Sequence, residues 1–264
     1  MNLDFNKYKR IFAFGCSFTK YRWPTWADLI SLECPNAIYR NYGMGGLGNL
    51  AISTRIIEGS RRFRFDSGDL VLVMWSTFCR EDRWIEGKWF AQGNVYYSEY
   101  PKEWIKKYVD PNGGLIRDHA LIYSTNRYLE SLGVDSIVLK SAPFAYSEFG
   151  DISDLVSKEL EVLYKKDYDS MPIDLYTYIG SDWCKDQQKY LDDWEQEFWR
   201  NDSHPFSGTY VSYLKHMGIN LSDSTLRLAN EWDNFLKTNP RSSEMMKRID
   251  FLRQNVDLGR NKIF

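Results

Sequence analysis

Apolar residues in this chain gather into short runs. Longer segments lie between, in which they recur every three or four positions, as expected when strands buried on both faces alternate with amphipathic helices. The first run, Ile11 to Phe14 (IFAF), enters Gly15-Cys16-Ser17 and reads as a buried parallel strand ending in a tight turn. Trp26 to Leu32 supplies a helix, and Asn36 to Tyr42 a second short strand. Gly43, Gly45, Gly46 and Gly48 then break regular structure before a helical stretch from Asn49 to about Arg62. Leu70 to Trp75 (LVLVMW), announced by Ser67-Gly68-Asp69, has the nearly all-apolar pattern of a central strand.

From Phe78 to Gly114 no period is sustained, and the segment carries Trp84, Trp89, Tyr96, Tyr97 and Trp104, so it is expected to be an insertion over the active face. Helical spacing returns from Arg117 to Leu132 and stops at Gly133, followed by a strand at Ser136 to Leu139 (SIVL). Ile152 to Lys166 and Asp186 to Trp199 read as helices of a second insertion, placed as a lid. Beyond His204 a helix runs from about Gly208 to Met217, with further helical periodicity at Leu226 to Leu236 and Met245 to Leu252. The alternation predicts an α/β fold with a mostly parallel central sheet. It also predicts one domain, with a core at about 9–217, insertions at about 78–116 and 145–200, and a C-terminal helical extension at about 222–264.

Composition removes several classes of function. Lys and Arg total 34 against 36 Asp and Glu, a net charge of −2 that gives no surface for nucleic acid. Cys16, Cys34, Cys79 and Cys184 form no C-x-x-C pair, so neither a zinc knuckle nor a dense disulfide framework is expected, and a reducing compartment is the simpler reading. The apolar run near the N-terminus is too short for a signal peptide, and no later run approaches the ~20 residues of a membrane span, so no membrane association is expected. No metal and no cofactor is expected either. No His, Cys and carboxylate cluster has ligand spacing, and the glycine loop lacks the Lys-Ser/Thr of a phosphate-binding loop. Ten Trp and eighteen Tyr leave two explanations open, sugar stacking and core packing.

A serine hydroxyl becomes a good nucleophile when a neighbouring base takes its proton, so a hydrolase must bring a Ser and a His to one point. Ser17 follows a strand and precedes a helix, which lifts it above the C-terminal edge of the sheet; an ordinary helix-capping serine would occupy the same place. Of three histidines, His119 and His216 lie in helical stretches, where core or solvent-exposed roles are expected, which leaves His204 as the base.

Phe14-Gly15-Cys16-Ser17-Phe18-Thr19 resembles the G-D-S-[LF] first block of the SGNH (GDSL) hydrolases, with Cys16 in place of the usual Asp. Asn41-Tyr42-Gly43-Met44-Gly45-Gly46-Leu47-Gly48-Asn49 is similar to the second block, whose glycine N–H helps form the oxyanion hole, and Gly46 is the matching position. The third block, G-x-N-D, is replaced by Trp75-Ser76-Thr77-Phe78, so its asparagine is missing; a hydroxyl of Ser76 or Thr77, or the amide of Asn49, is available instead. Asn201-Asp202-Ser203-His204-Pro205 resembles the last block, D-x-x-H-P, with Asn201 where the orienting Asp should stand and Asp202 one residue closer to His204. Either a shifted Asp202 orients His204, or the pair is a dyad.

The resemblance covers about residues 9 to 217 in order and implies a flavodoxin-like three-layer α/β/α sandwich, the SGNH hydrolase fold. It implies ester chemistry with Ser17 as nucleophile, His204 as base and the N–H groups of Ser17 and Gly46 in the oxyanion hole, on a small-molecule or carbohydrate ester with acetyl as the expected acyl group. An O-acyltransferase would use the same residues, and a binding or structural module would keep the fold without the chemistry. Similar compact proteins of bacteria and large phages suggest a cytoplasmic or virion-associated location.

Overall fold

The computed structural model describes residues 4–78, 80–95, 100–144, 152–180 and 204–238. Each of the expected apolar runs is a strand: β1 (Arg10–Phe14), β2 (Ile38–Asn41), β3 (Asp69–Trp75) and β6 (Asp135–Lys140). They pair in parallel in the order β2-β1-β3-β6, while β4 (Arg80–Ile85) and β5 (Lys88–Asn94) form a separate antiparallel hairpin. All seven residues of β3 are buried: Leu70–Trp75 is an unbroken apolar run, as a strand covered on both faces requires, and Asp69 is paired with Arg10 (2.6 Å).

Helices flank the sheet in two layers. On one side α1 (Trp26–Leu32) sends Asp28 under β2, where its carboxylate accepts from Tyr39 Oη (2.8 Å) and Asn41 Nδ2 (3.1 Å). On the other, Gly59 of α2 (Asn49–Phe63) lies so close to the Phe14 ring that an added Cβ would stand 3.1 Å from Cζ. The two contacts follow the alternation of the strands, with Tyr39 and Asn41 facing α1 and Arg40 and Tyr42 the opposite side.

The chain leaves β1 through α1 to β2 on one side, then returns through α2 to β3 on the other. That reversal of strand order falls between β1 and β3, and open sheets of this topology hold ligands at the C-terminal ends of the strands there. The remaining helices are α3 (Lys102–Tyr108), α4 (Pro111–Ser131), α5 (Asp154–Leu160), α6 (Lys166–Ser170), α7 (Ser207–His216) and α8 (Asp223–Thr238).

Three expectations change in detail. The 78–114 segment is a two-stranded hairpin plus α3, since Glu86 and Gly87, with φ of 50° and 76°, make the tight turn that lets β4 pair with β5. Helix α4 starts at Pro111, six residues before Arg117, because Asp110 accepts from Asn112 N (3.0 Å) as an N-cap and Pro is pre-set for the first turn. The helix expected over 152–166 is instead α5, one π-helical turn (Glu161–Lys165) and α6. The stretches 186–199 and 245–252 lie outside the described residues.

Candidate functional site

Ser17 sits on the turn after β1. Cys16 carbonyl accepts from Thr19 N (3.0 Å) and Lys20 N (3.2 Å), so residues 16–20 close one helical turn that begins with the candidate nucleophile. Gly15 must be glycine here, because a Cβ would come within 2.1 Å of Thr19 Oγ1 and 3.0 Å of Met74 O. Ser17 is partly exposed and makes no hydrogen bond among the described residues, while Cys16 is buried as a free thiol.

A buried polar network holds this turn from below. Thr19 carbonyl accepts from Thr25 Oγ1 (2.7 Å) and Asn41 Nδ2 (2.8 Å), and Asp28 accepts from Thr25 N (2.8 Å) as part of a capping box that starts α1. Burial pushes the Asp28 carboxyl above the ordinary Asp range, against the hydrogen bonds from Thr25, Tyr39 and Asn41 that favour its charged form.

His204 comes to the same turn from the far end of the chain. Its ring stacks on Tyr21 with centroids 3.7 Å apart and planes 8° from parallel, and lies 5.2 Å from the Phe18 ring. Its Nε2 is enclosed by protein. The segment that carries it is pinned by Trp23 Nε1 donating to Pro205 O (2.8 Å) and Ser207 Oγ donating to Pro24 O (2.9 Å). Asp202, the expected orienting carboxylate, lies outside the described residues.

The glycine loop meets the β4–β5 hairpin. Gly46 has φ of 76°, and a Cβ there would stand 2.8 Å from Ala91 O and 2.9 Å from Gly93 N, so side-chain-free backbone is what allows the hairpin to close over the loop. Gly93 N donates to Gly46 O (3.0 Å), and Asp82 accepts from Gly48 N (2.8 Å) and Ala51 N (3.0 Å), capping α2 where Gly48 has no side chain to do so. The apolar pattern does not mark this hairpin; its signal in the sequence is Glu86-Gly87 between Trp84-Ile85 and Lys88-Trp89.

The three candidates for the missing third-block donor are placed differently. Asn49 uses both amide protons, on Ser76 O (3.3 Å) and Asp118 Oδ2 (3.3 Å), while its Oδ1 accepts from Ser76 N (2.8 Å), so its side chain fixes Ser76 and does not face a substrate. Thr77 Oγ1 accepts from Arg80 Nε (2.8 Å). Ser76 Oγ is buried with no hydrogen-bond partner among the described residues, directly after the end of β3.

The other histidines lie apart from this turn. His119 is buried between Phe78, Phe144 and Tyr168, with Nε2 2.9 Å from Phe144 O, and burial pushes its pKa down to about 4. It lines a cavity of about 150 Å³ between α4, β6 and α6 that does not include Ser17 or His204. His216 packs on Tyr178, ring centroids 5.1 Å apart. Among the described residues no group of three or more His, Cys, Asp or Glu could hold a metal ion, and no helix is long and apolar enough to cross a membrane.

No protein-family model and no curated protein sequence matches the chain. Several solved structures resemble it, two of them as follows. One is a Bacteroides fragilis protein whose description proposes an acylhydrolase, at 12% identity and a TM-score of 0.37, covering 88% of each chain. The other is protein YXIM of Bacillus subtilis, also at 12% identity and a TM-score of 0.37, where 89% of this chain covers 58% of that one.

Proposed function

We propose that the protein is a serine hydrolase of SGNH type that cleaves O-acyl esters, with an acetylated carbohydrate as substrate. The observation that carries this reading is the His204 ring stacked on Tyr21 and against Phe18, on the turn that begins at Ser17, across a separation of 187 residues in the chain.

In this reading Ser17 Oγ attacks the ester carbonyl and His204 accepts its proton. The negative oxygen of the tetrahedral intermediate is held by the N–H groups of Ser17 and Gly46, with Ser76 Oγ as a further donor. Collapse of the intermediate expels the alcohol, which takes the proton from His204 and leaves an acyl-serine. Water, deprotonated by His204, then attacks the acyl carbon and releases the acid. Asp202 orients His204, or the pair acts as a dyad. The carbohydrate assignment rests on the hairpin that covers the glycine loop: Trp84, 47% exposed, stands edge-on to Trp89 with ring centroids 5.6 Å apart, an aromatic surface suited to the apolar face of a sugar ring.

The test is release of p-nitrophenol from p-nitrophenyl acetate and of acetate from acetylated oligosaccharides, by wild type beside Ser17→Ala and His204→Ala. Loss of both activities in both variants, with folding intact by circular dichroism, is expected. Equal rates in all three proteins would overturn the esterase. The second reading, a binding module on the same fold, draws on one observation, that Ser17 makes no hydrogen bond among the described residues. It predicts saturable binding of acetylated oligosaccharide with no acetate released.

A further inference from the structure

On the side of the sheet away from α1, the edge strand β2 and helix α2 bring three arginines together around Tyr42. Positions 55, 58 and 62 lie on one stripe of α2, and positions 40 and 42 share one face of β2. The two stripes meet over Phe63: the Arg40 guanidinium lies 5.1 Å above its ring, and the Tyr42 ring stacks against it at 6.1 Å. Arg40, Arg55 and Arg62 all act electrostatically on the Tyr42 hydroxyl.

Arg55 is the unusual member. It is only 6% exposed, and its Nε and Nη1 are enclosed with no hydrogen-bond partner among the described residues. Among the described residues Glu58 is the carboxylate whose charge reaches it, and Glu58 also pairs with Arg62 (3.2 Å). Arg55 and Arg62 therefore share Glu58, and Arg40 adds a third guanidinium beside Tyr42. A guanidinium cannot shed its proton to escape burial, and a desolvated charge without a partner is among the costliest features a fold can carry. The surroundings offer hydrogen-bond donors and one hydroxyl, which suits a ligand made only of acceptors, and arginine forks match tetrahedral oxyanions well.

We infer that Arg40, Tyr42, Arg55 and Arg62 form a binding site for a phosphate-like oxyanion, with buried Arg55 as its floor and the partly exposed Arg40 and Arg62 as its rim. The site is separate from the Ser17 turn and does not depend on the esterase reading.

Thermal unfolding in inorganic phosphate, against potassium chloride of matched ionic strength, tests it. Wild type is expected to show a saturable rise in Tm of roughly a few degrees at phosphate well above Kd. Arg55→Met is expected to lose that response while remaining at least as stable as wild type without phosphate, because the unpartnered charge is gone. Should Arg55→Met fail to fold, Arg40→Gln and Arg62→Gln at the rim must each raise the phosphate concentration needed for half the shift. A hexose phosphate added in parallel separates sources: a larger shift than with phosphate assigns the site to a phosphorylated ligand, and an equal shift to free phosphate. A wild-type Tm that follows ionic strength alone, or a phosphate shift retained in Arg55→Met, overturns the proposal.

Discussion

Asn49 shows how a residue type can be read correctly while its task is not. The sequence offered its amide as an oxyanion donor, yet its three hydrogen bonds are to Ser76 N, Ser76 O and Asp118, all buried. Replacing it by Ala would strand Ser76 N–H and O inside the protein, so Asn49→Ala is expected to cost about 2–4 kcal/mol in urea unfolding. A cost under about 0.5 kcal/mol would mean the clamp contributes nothing. His119 gives the pH dependence. Its ordinary pKa of 6.5 falls to about 4 in the folded state because burial disfavours the imidazolium. The folded protein thus binds this proton less readily than the unfolded chain. The stability it contributes is full above pH 6.5 and is lost as pH falls from 6.5 towards 4, by about 3 kcal/mol in all. His119→Phe, which keeps a ring among Phe78, Phe144 and Tyr168, should show a shallower fall in urea midpoint over that window; parallel curves for the two proteins would refute the assignment.

At the scale of elements, the glycine loop and the hairpin are one unit. Gly46 admits Ala91 and Gly93, and Asp82 supplies the cap that Gly48 lacks. Gly46→Ala forces a side chain against two backbone atoms at positive φ and is expected to destabilise by at least about 2 kcal/mol, whereas Gly45→Ala, with nothing within 4 Å of the new Cβ, should cost far less. Equal effects in thermal unfolding would detach the hairpin from the loop. The four parallel strands and α1, α2 and α7 were legible because their apolar positions keep one period throughout. The hairpin was not, since Arg80, Glu81, Arg83 and Lys88 are interspersed with Trp84, Ile85 and Trp89 in its strands, which spoils the alternation. Nor was the first turn of α4, whose evidence lay in Asp110-Pro111 and not in any apolar stripe.

Across the whole molecule the site depends on a contact no local pattern could announce. Helix α8 brings Trp232 and Leu236 into a small second core with Trp23 and Phe206, apart from the main one, and Asp233 Oδ2 accepts from Gly208 N (2.8 Å) at the start of α7. Trp23 belongs to the loop after Ser17, and Phe206 lies two residues past His204. Helix α8, legible only as an amphipathic stretch, therefore clamps the two ends of the proposed Ser-His pair to each other. Trp232→Ala should cost about 3–5 kcal/mol through the cavity it leaves. If the clamp places His204, the same change lowers kcat for p-nitrophenyl acetate by about tenfold or more, with KM nearly constant, at temperatures where the variant is still folded. A lowered Tm with unchanged kcat would mean that α8 stabilises the domain without positioning its base.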